Sequence, residues 1–198
     1  MKTLVSLFTA LLLSLTLSQR VSAQVTWQLN KSHSNINFSV AHLVVSETSG
    51  RFKSFDAKVI SKSDDFVDSE IELVIDAASI NTEDEKRDGH LRSADFFDVA
   101  KYPHITFKSK SFKKVDGKNY KLVGDLTMHG VTKEVTLDVI YNGTAKSPFG
   151  NIHAGFKVIG KINRTDFGLK WNKALDNGGV LVGEEVSFIC NIELTRKS

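Results

Sequence analysis

The chain of 198 residues holds one cysteine, Cys190, and two prolines. A single cysteine excludes an internal disulfide, so the folded part must be held by its own core. It also excludes zinc sites built on paired cysteines. No G-x-S-x-G, H-E-x-x-H or P-loop is present, which removes the usual serine-hydrolase, metalloprotease and nucleotide signatures. Charge of one sign is not concentrated anywhere. The 26 Lys and Arg are scattered among 23 Asp and Glu, so no basic block tracks phosphates and a nucleic-acid partner is not expected. Long apolar runs are absent except at the start. Leu4 to Leu17 is apolar apart from Ser and Thr, and it follows Lys2. It is shorter than the roughly 20 residues a spanning helix needs. Val21-Ser22-Ala23 then gives the small residues of a cleavage site. The sequence therefore predicts a cleaved signal over residues 1–23, with no cysteine beside it to carry a lipid. The mature chain, 24–198, carries no membrane span. Lys2 and Arg20 are the only charges in the signal, so the formal charge falls from +3 to +1 on cleavage.

What is present is alternation. Ile36, Phe38 and Val40 interleave with Asn37 and Ser39. A second stretch runs from Phe52 through Ala57 and Val59. Others carry Ile71, Leu73 and Ile75; Ile105 and Phe107; Tyr120, Leu122, Gly124, Leu126 and Met128; and Val131 to Tyr141. Phe156 and Val158, then Val186, Phe188, Cys190 and Ile192, complete the set. This is the period of half-buried strands, about eight of them, and their succession predicts an antiparallel meander in one domain. Closure into a barrel removes the sheet edges, with a two-sheet sandwich as the alternative. Val131 to Tyr141 would span about 37 Å at roughly 3.4 Å per residue, which suits a tall barrel. Cys190, in strand phase, reads as a buried inert thiol.

Two segments break the rhythm. Thr82 to Asp98 reads as a short helix capped at Thr82, with Glu83, Asp84 and Glu85 at its start and Gly89 weakening its middle. Arg164 to Gly183 is irregular, with a turn at Asn177-Gly178-Gly179. Each mixes charges with aromatics where the chain leaves the wall. An Arg–Asp network closing a barrel end is one reading, and a polar rim over an apolar lumen is the other. Small residues on the strand faces, Ala57, Gly124, Ala154 and Gly160, either hollow the interior or let strands bend. Six histidines, His33, His42, His90, His104, His129 and His153, show no close ligand spacing. Ser32-His33-Ser34 lacks a strained nucleophile turn and fits cap hydrogen bonds. Asp64-Asp65-Phe66-Val67-Asp68 lacks calcium-loop spacing and reads as a solvated hairpin turn.

The run Glu85-Lys86-Arg87-Asp88-Gly89-His90-Leu91-Arg92-Ser93-Ala94-Asp95-Phe96-Phe97-Asp98-Val99, closing at Tyr102-Pro103, resembles the signature of the YceI-like polyisoprenoid-binding proteins. Ser32-His33-Ser34, Gly124 to Thr132, Asn163 to Gly168 and Val182 to Val186 extend the resemblance in order over the mature chain. The resemblance implies an all-β fold: an extended eight-stranded antiparallel lipocalin-like barrel with one or two short helices. It implies a tunnel for a long isoprenoid or similar amphiphile, such as an isoprenoid quinone, polyprenyl phosphate or fatty acid, and a periplasmic location. The expected lining is Phe38, Val40, Phe52, Leu73, Ile75, Phe107, Leu126, Met128, Phe156 and Phe188. The expected rim is Arg87, His90, Phe96, Phe97, Arg164, Asp166, Phe167, Leu169 and Trp171. No catalytic residue, metal or cofactor besides the lipid ligand is expected, and a homodimer is left open. The rival readings are an enzyme acting on such a lipid through His33, His90, Arg164 and Asp166, and a scavenger of apolar toxins or antibiotics.

Overall fold

The structure, a computed structural model, describes residues 24–175 and 178–197. The expected signal lies outside them, as does Asn177 of the expected turn. Eleven strands form one antiparallel sheet: β1 (Val25–Leu29), β2 (Asn35–His42), β3 (Ser46–Phe52), β4 (Phe55–Ser61), β5 (Glu70–Asp76), β6 (Ile80–Asn81), β7 (His104–Asp116), β8 (Asn119–Met128), β9 (Val131–Lys146), β10 (Asn151–Asn163) and β11 (Val182–Lys197). One helix, α1 (Glu85–Arg92), interrupts them.

The eleven reduce to eight long wall strands, because three are broken once. β1 pairs with one end of β11 through Gln28↔Thr195, and β2 pairs with its other end through Ile36↔Cys190. β3 and β4 are likewise two halves of one strand, lying on β2 and β1 respectively. β5 and β6 lie on β4 and β3. From β5 the ladder runs through β7, β8, β9 and β10 to β11, and the β1–β11 pairing closes the barrel. The expected eight-stranded antiparallel barrel is what forms.

The breaks have a chemical cause. Between the β1 and β2 pairings, Asn30 to Ser34 must bulge past Ile192 and Glu193. Glu193 pins the bulge. Its carbonyl accepts from Asn30 N, and its amide donates to Ser34 Oγ. Its carboxylate accepts from Asn30 Nδ2 at 2.7 Å and contacts His153 Nδ1 at 2.8 Å. These contacts hold its carboxyl below the usual range, against the opposing pull of burial. Ser32-His33-Ser34 is thus part of a stapled bend, in keeping with its cap-forming chemistry.

Three expectations need correction. The stretch expected to run on from Phe52 is split: Phe52 ends the strand Ser46–Phe52, which shows little alternation, and the next strand starts at Phe55. α1 is capped by Asp84, whose side chain accepts from Arg87 N at 3.0 Å, and not by Thr82. The Thr82 hydroxyl is already engaged, donating to Asp88 and accepting from Arg87. The Asp-rich turn after β4 is not simply solvated. Its Phe66 points inward and is 1% exposed.

Phe66 is the centre of an aromatic plug. Its ring meets Trp27 and Phe156 at 5.0 Å and Tyr141 at 5.4 Å between centroids. Tyr120 donates from its hydroxyl to Asp65 O, Ser69 Oγ donates to Phe66 O, and Trp27 Nε1 donates to Ser61 Oγ. Buried polar atoms of the plug are therefore paired, as burial demands. The second core cluster lies toward α1 and contains Ile36, Phe52, Ile80, Phe96, Phe167 and Leu169.

Candidate functional site

An apolar cavity of about 260 Å³ runs inside the barrel between the plug and α1. The expected lining residues Phe38, Val40, Phe52, Leu73, Ile75, Phe107, Leu126, Met128, Phe156 and Phe188 all face it, joined by Phe96, Phe97 and Leu169 from the rim set. Arg164 is the one charged residue among its lining.

The cavity stays hollow because several rings lie flat on the wall. Gly50 on β3 faces Phe38 on β2, which pairs with Phe188 on β11, which faces Gly160 on β10. A Cβ on Gly50 or Gly160 would fall within 3.0 Å of the facing ring. Gly124, which pairs with Ser109, is diagonal to Phe107, and a Cβ there would also fall within 3.0 Å of that ring and of Lys108 O. Each glycine vacates the space that a neighbouring ring occupies, so the ring does not project across the lumen. Cross-strand pairing of an aromatic with glycine is a known device for keeping such strands stable. The open question about the small residues resolves at Gly124 and Gly160: they are seats for phenylalanine.

The end toward α1 is covered differently. The β5–β7 ladder stops at Asp76↔His104, and β6 pairs only with β3. Residues 82–103, including α1, cover the resulting gap. Leu91 is the only apolar side chain of α1, so packing alone does not hold the helix. Asp88, fully buried, accepts from Thr82 N at 2.8 Å, from Thr82 Oγ1 at 2.5 Å and from Asn81 Nδ2 at 3.3 Å. Arg87 donates to Thr82 O at 2.8 Å, and Arg92 donates to Ala78 O and Ile80 O.

Arg164 does the same for the other irregular segment. It donates to Gly183 O at 2.8 Å, Trp171 O at 3.0 Å and Val182 O at 3.2 Å, and to Leu169 O. Burial pulls its pKa below the ordinary arginine value, and Glu184 partly offsets this. Four of its five donors are spent on carbonyls, so Arg164 clasps the main chain at Leu169 and Trp171 to that at Val182 and Gly183. Arg87 and Asp88 are linked through the Thr82 hydroxyl, so an Arg–Asp network does form at α1 by way of Thr82, whereas Arg164 closes on main-chain carbonyls.

Arg87, His90, Asp166, Phe167 and Trp171 do not line the cavity. Phe167 is buried in the second core, and Asp166 is exposed. His90 contacts Asp95 at 3.0 Å and stands edge-on to Phe96 and Trp171. His33 sits in the β1–β2 bend. His33, His90 and Asp166 therefore do not converge on the lumen with Arg164. Cys190 lines the cavity, and burial pushes its thiol up to about 12, which keeps it protonated and inert. Among the described residues no group of His, Cys, Asp or Glu could hold a metal ion, and no helix is long and apolar enough to cross a membrane.

Sequence reading missed Phe66, gave Thr82 the role of a helix cap, and placed Asp88 in an Arg–Asp network without its buried contacts to the Thr82 amide and Asn81. A signal existed for Phe66: one large apolar residue inside an acidic turn has no reason to be there unless it turns inward. Asp88 offered none, because its partners are an amide and a hydroxyl six residues back.

Known proteins share this architecture. A UPF0312 protein of Staphylococcus aureus is 41% identical over 165 residues, which cover 83% of this chain and 94% of that protein. The Campylobacter jejuni YCEI protein superposes with a TM-score of 0.68 at 32% identity, covering 80% of this chain and 90% of that one. A polyisoprenoid binding domain from Saccharophagus degradans, implicated in plant cell wall breakdown, superposes with a TM-score of 0.61 at 18% identity. It covers 85% of this chain and 97% of that domain, a likeness of fold alone. The YceI-like domain profile matches residues 27–194, and with it the barrel, the α1 cover and the Arg164 clasp fall into place: this chain belongs to the YceI-like family.

Proposed function

We propose that this protein is an exported binding protein that holds a long-chain isoprenoid or similar amphiphilic lipid in its barrel for transport, storage or sequestration. The observation that carries the reading is the lumen itself: tall, lined by apolar side chains, and with its single charged neighbour already satisfied by carbonyls. Such a space offers nothing to a polar substrate. It rewards an apolar chain by about 0.8 kcal/mol per buried methylene. The polyisoprenoid binding described for the Saccharophagus degradans domain supports the same direction. The N-terminal signal pattern supports work outside the cytoplasm, in the periplasm where one exists. There, an apolar ligand crossing water needs a cover. The candidates for an enzymatic reading are dispersed, so binding without turnover is favoured.

The test is extraction of the full protein, purified from its native host, followed by mass spectrometry, alongside titration with an isoprenoid quinone in detergent. A co-purifying long-chain amphiphile, or saturable quinone uptake, is expected. A protein that is empty and also refuses quinone overturns the proposal. Release of a ring-rich apolar drug-like compound in place of a lipid would reassign the lumen to scavenging.

A further inference from the structure

We infer that the β2–β3 turn, Leu43-Val44-Val45, is a docking point through which the barrel inserts into a lipid bilayer beside its cavity. The inference deepens the lipid-binding reading and rests on it for its purpose. The turn is built against local preference. Val45 N donates to His42 O, which makes Leu43 and Val44 the two central residues. Both have positive φ, 54° and 65°. Asn and Gly take that conformation readily, whereas a β-branched residue there is strained. The strain brings no burial with it. Leu43 is 36% exposed, Val44 74% and Val45 84%. A turn that is both strained and apolar in water is kept for something other than stability.

Its position supplies the occupant. Leu43 N donates to Leu181 O at 3.0 Å, and the adjoining Val180 is exposed as well. His42 pairs with Val182, and Val182 and Val40 both line the cavity. One apolar strip therefore runs from the tip to the lumen. The chemistry that would cover the tip and feed the lumen is one and the same, a bilayer holding the lumen's ligand. Among the described residues, exposed charge of both signs adjoins the tip: Lys173, whose carbonyl accepts from Leu181 N, and Glu47, one residue into β3. Insertion is thus carried by the apolar side chains and does not depend on anionic lipid. Phe149, 92% exposed, tops a turn at the opposite end, away from this strip.

The test uses the mature protein, phosphatidylcholine vesicles carrying an isoprenoid quinone, and the double variant Leu43→Asn, Val44→Gly. Asn-Gly suits the backbone of the turn, so folding is not at risk, and a thermal melt checks it. The variant is expected to lose at least tenfold in vesicle co-sedimentation and in the rate of quinone uptake from vesicles. Its affinity for quinone supplied in detergent should be unchanged, and Phe149→Ser should behave like the parent in every assay. Parent-like vesicle binding by the double variant overturns the inference. So does a parent that ignores vesicles but forms a dimer the variant disperses, which would assign the tip to a second copy. If the parent takes up no quinone from detergent, the lipid-binding reading fails, while co-sedimentation still decides the docking.

Discussion

The two ends of the barrel are closed by different physics. At one end Phe66 sits among Trp27, Tyr141 and Phe156, an interlocked apolar mass whose few polar atoms are paired. At the other, α1 and the main chain at Leu169, Trp171, Val182 and Gly183 are tied by Asp88, Arg87, Arg92 and Arg164, mostly to carbonyls. An aromatic plug can open only by creating a cavity or exposing rings to water, at several kcal/mol. Hydrogen bonds to carbonyls can be exchanged for bonds to water, at a net cost of about 1 kcal/mol each. The α1 end also buries Phe96, Phe167 and Leu169, but its helix carries a single apolar side chain, so the plug is expected to act as a floor and the α1 end to open as a door. This asymmetry gives the lumen a direction, and the docking tip lies at the door.

The sharpest way to break the comparison is Phe66→Ala. The floor predicts a stability loss of about 3–5 kcal/mol, because the ring is fully buried and its neighbours are held by their own strands. Denaturant melts of the purified variant measure it. A loss below about 1 kcal/mol would mean that the end collapses easily and is no floor.

Asp88→Ala should cost less, about 2–3 kcal/mol, since it strands the Thr82 amide and hydroxyl in a buried place. Its distinctive outcome is kinetic. Quinone should leave and enter several-fold faster than in the parent, whereas Phe66→Ala should change stability with little change in exchange rate. Stopped-flow exchange of a fluorescent lipid separates the two. Equal acceleration by both variants would erase the distinction between floor and door.

How far these ends were legible differs for the same reason that they work differently. The alternating strands, about eight of them, follow from period-2 burial, which is local; closure into a barrel and not a two-sheet sandwich was what the family resemblance implied. Phe66 was hidden because its turn has positive φ at a phenylalanine flanked by aspartates, and local polarity pointed outward. β3 was hidden because its inward positions, Thr48, Gly50 and Phe52, lie opposite Val40, Phe38 and Ile36, and the Phe38 ring fills the place of a large side chain at Gly50. Arg164 was visible as a candidate but its role was not. Its partners are main-chain carbonyls, which no side-chain pattern encodes.

Gly160→Ala tests the hollow between the ends. The new Cβ would press Phe188 and Leu137 off the wall and into the lumen. A destabilisation of about 1–2 kcal/mol is expected from overpacking, and quinone affinity should fall while a shorter-chain analogue is retained. Uniform affinity across chain lengths would show that the rings on the glycines do not set the bore.

The smallest effect concerns Cys190, which packs in the core cluster on the door side. Burial raises its thiol from an ordinary 9.0 to about 12 in the folded protein. A group with a raised folded pKa contributes stability that is complete below the unfolded pKa and is lost as pH climbs toward the folded value. At pH 7 the thiol therefore contributes no pH dependence. Between pH 9 and 10 the unfolded chain ionises its thiol while the folded one does not, which costs about 1 kcal/mol by pH 10. Lysines and tyrosines titrate in the same range, so the measurement is the difference between the parent and Cys190→Ala in paired denaturant melts at pH 7, 9 and 10. The gap should already begin to narrow by pH 9, where half of the unfolded thiol is ionised, and should narrow by about 1 kcal/mol at pH 10, because only the parent has this thiol to ionise on unfolding. A gap that stays constant through pH 10 would mean that the thiol already meets water at the door, so that the cover stands open far more often than its hydrogen bonds imply.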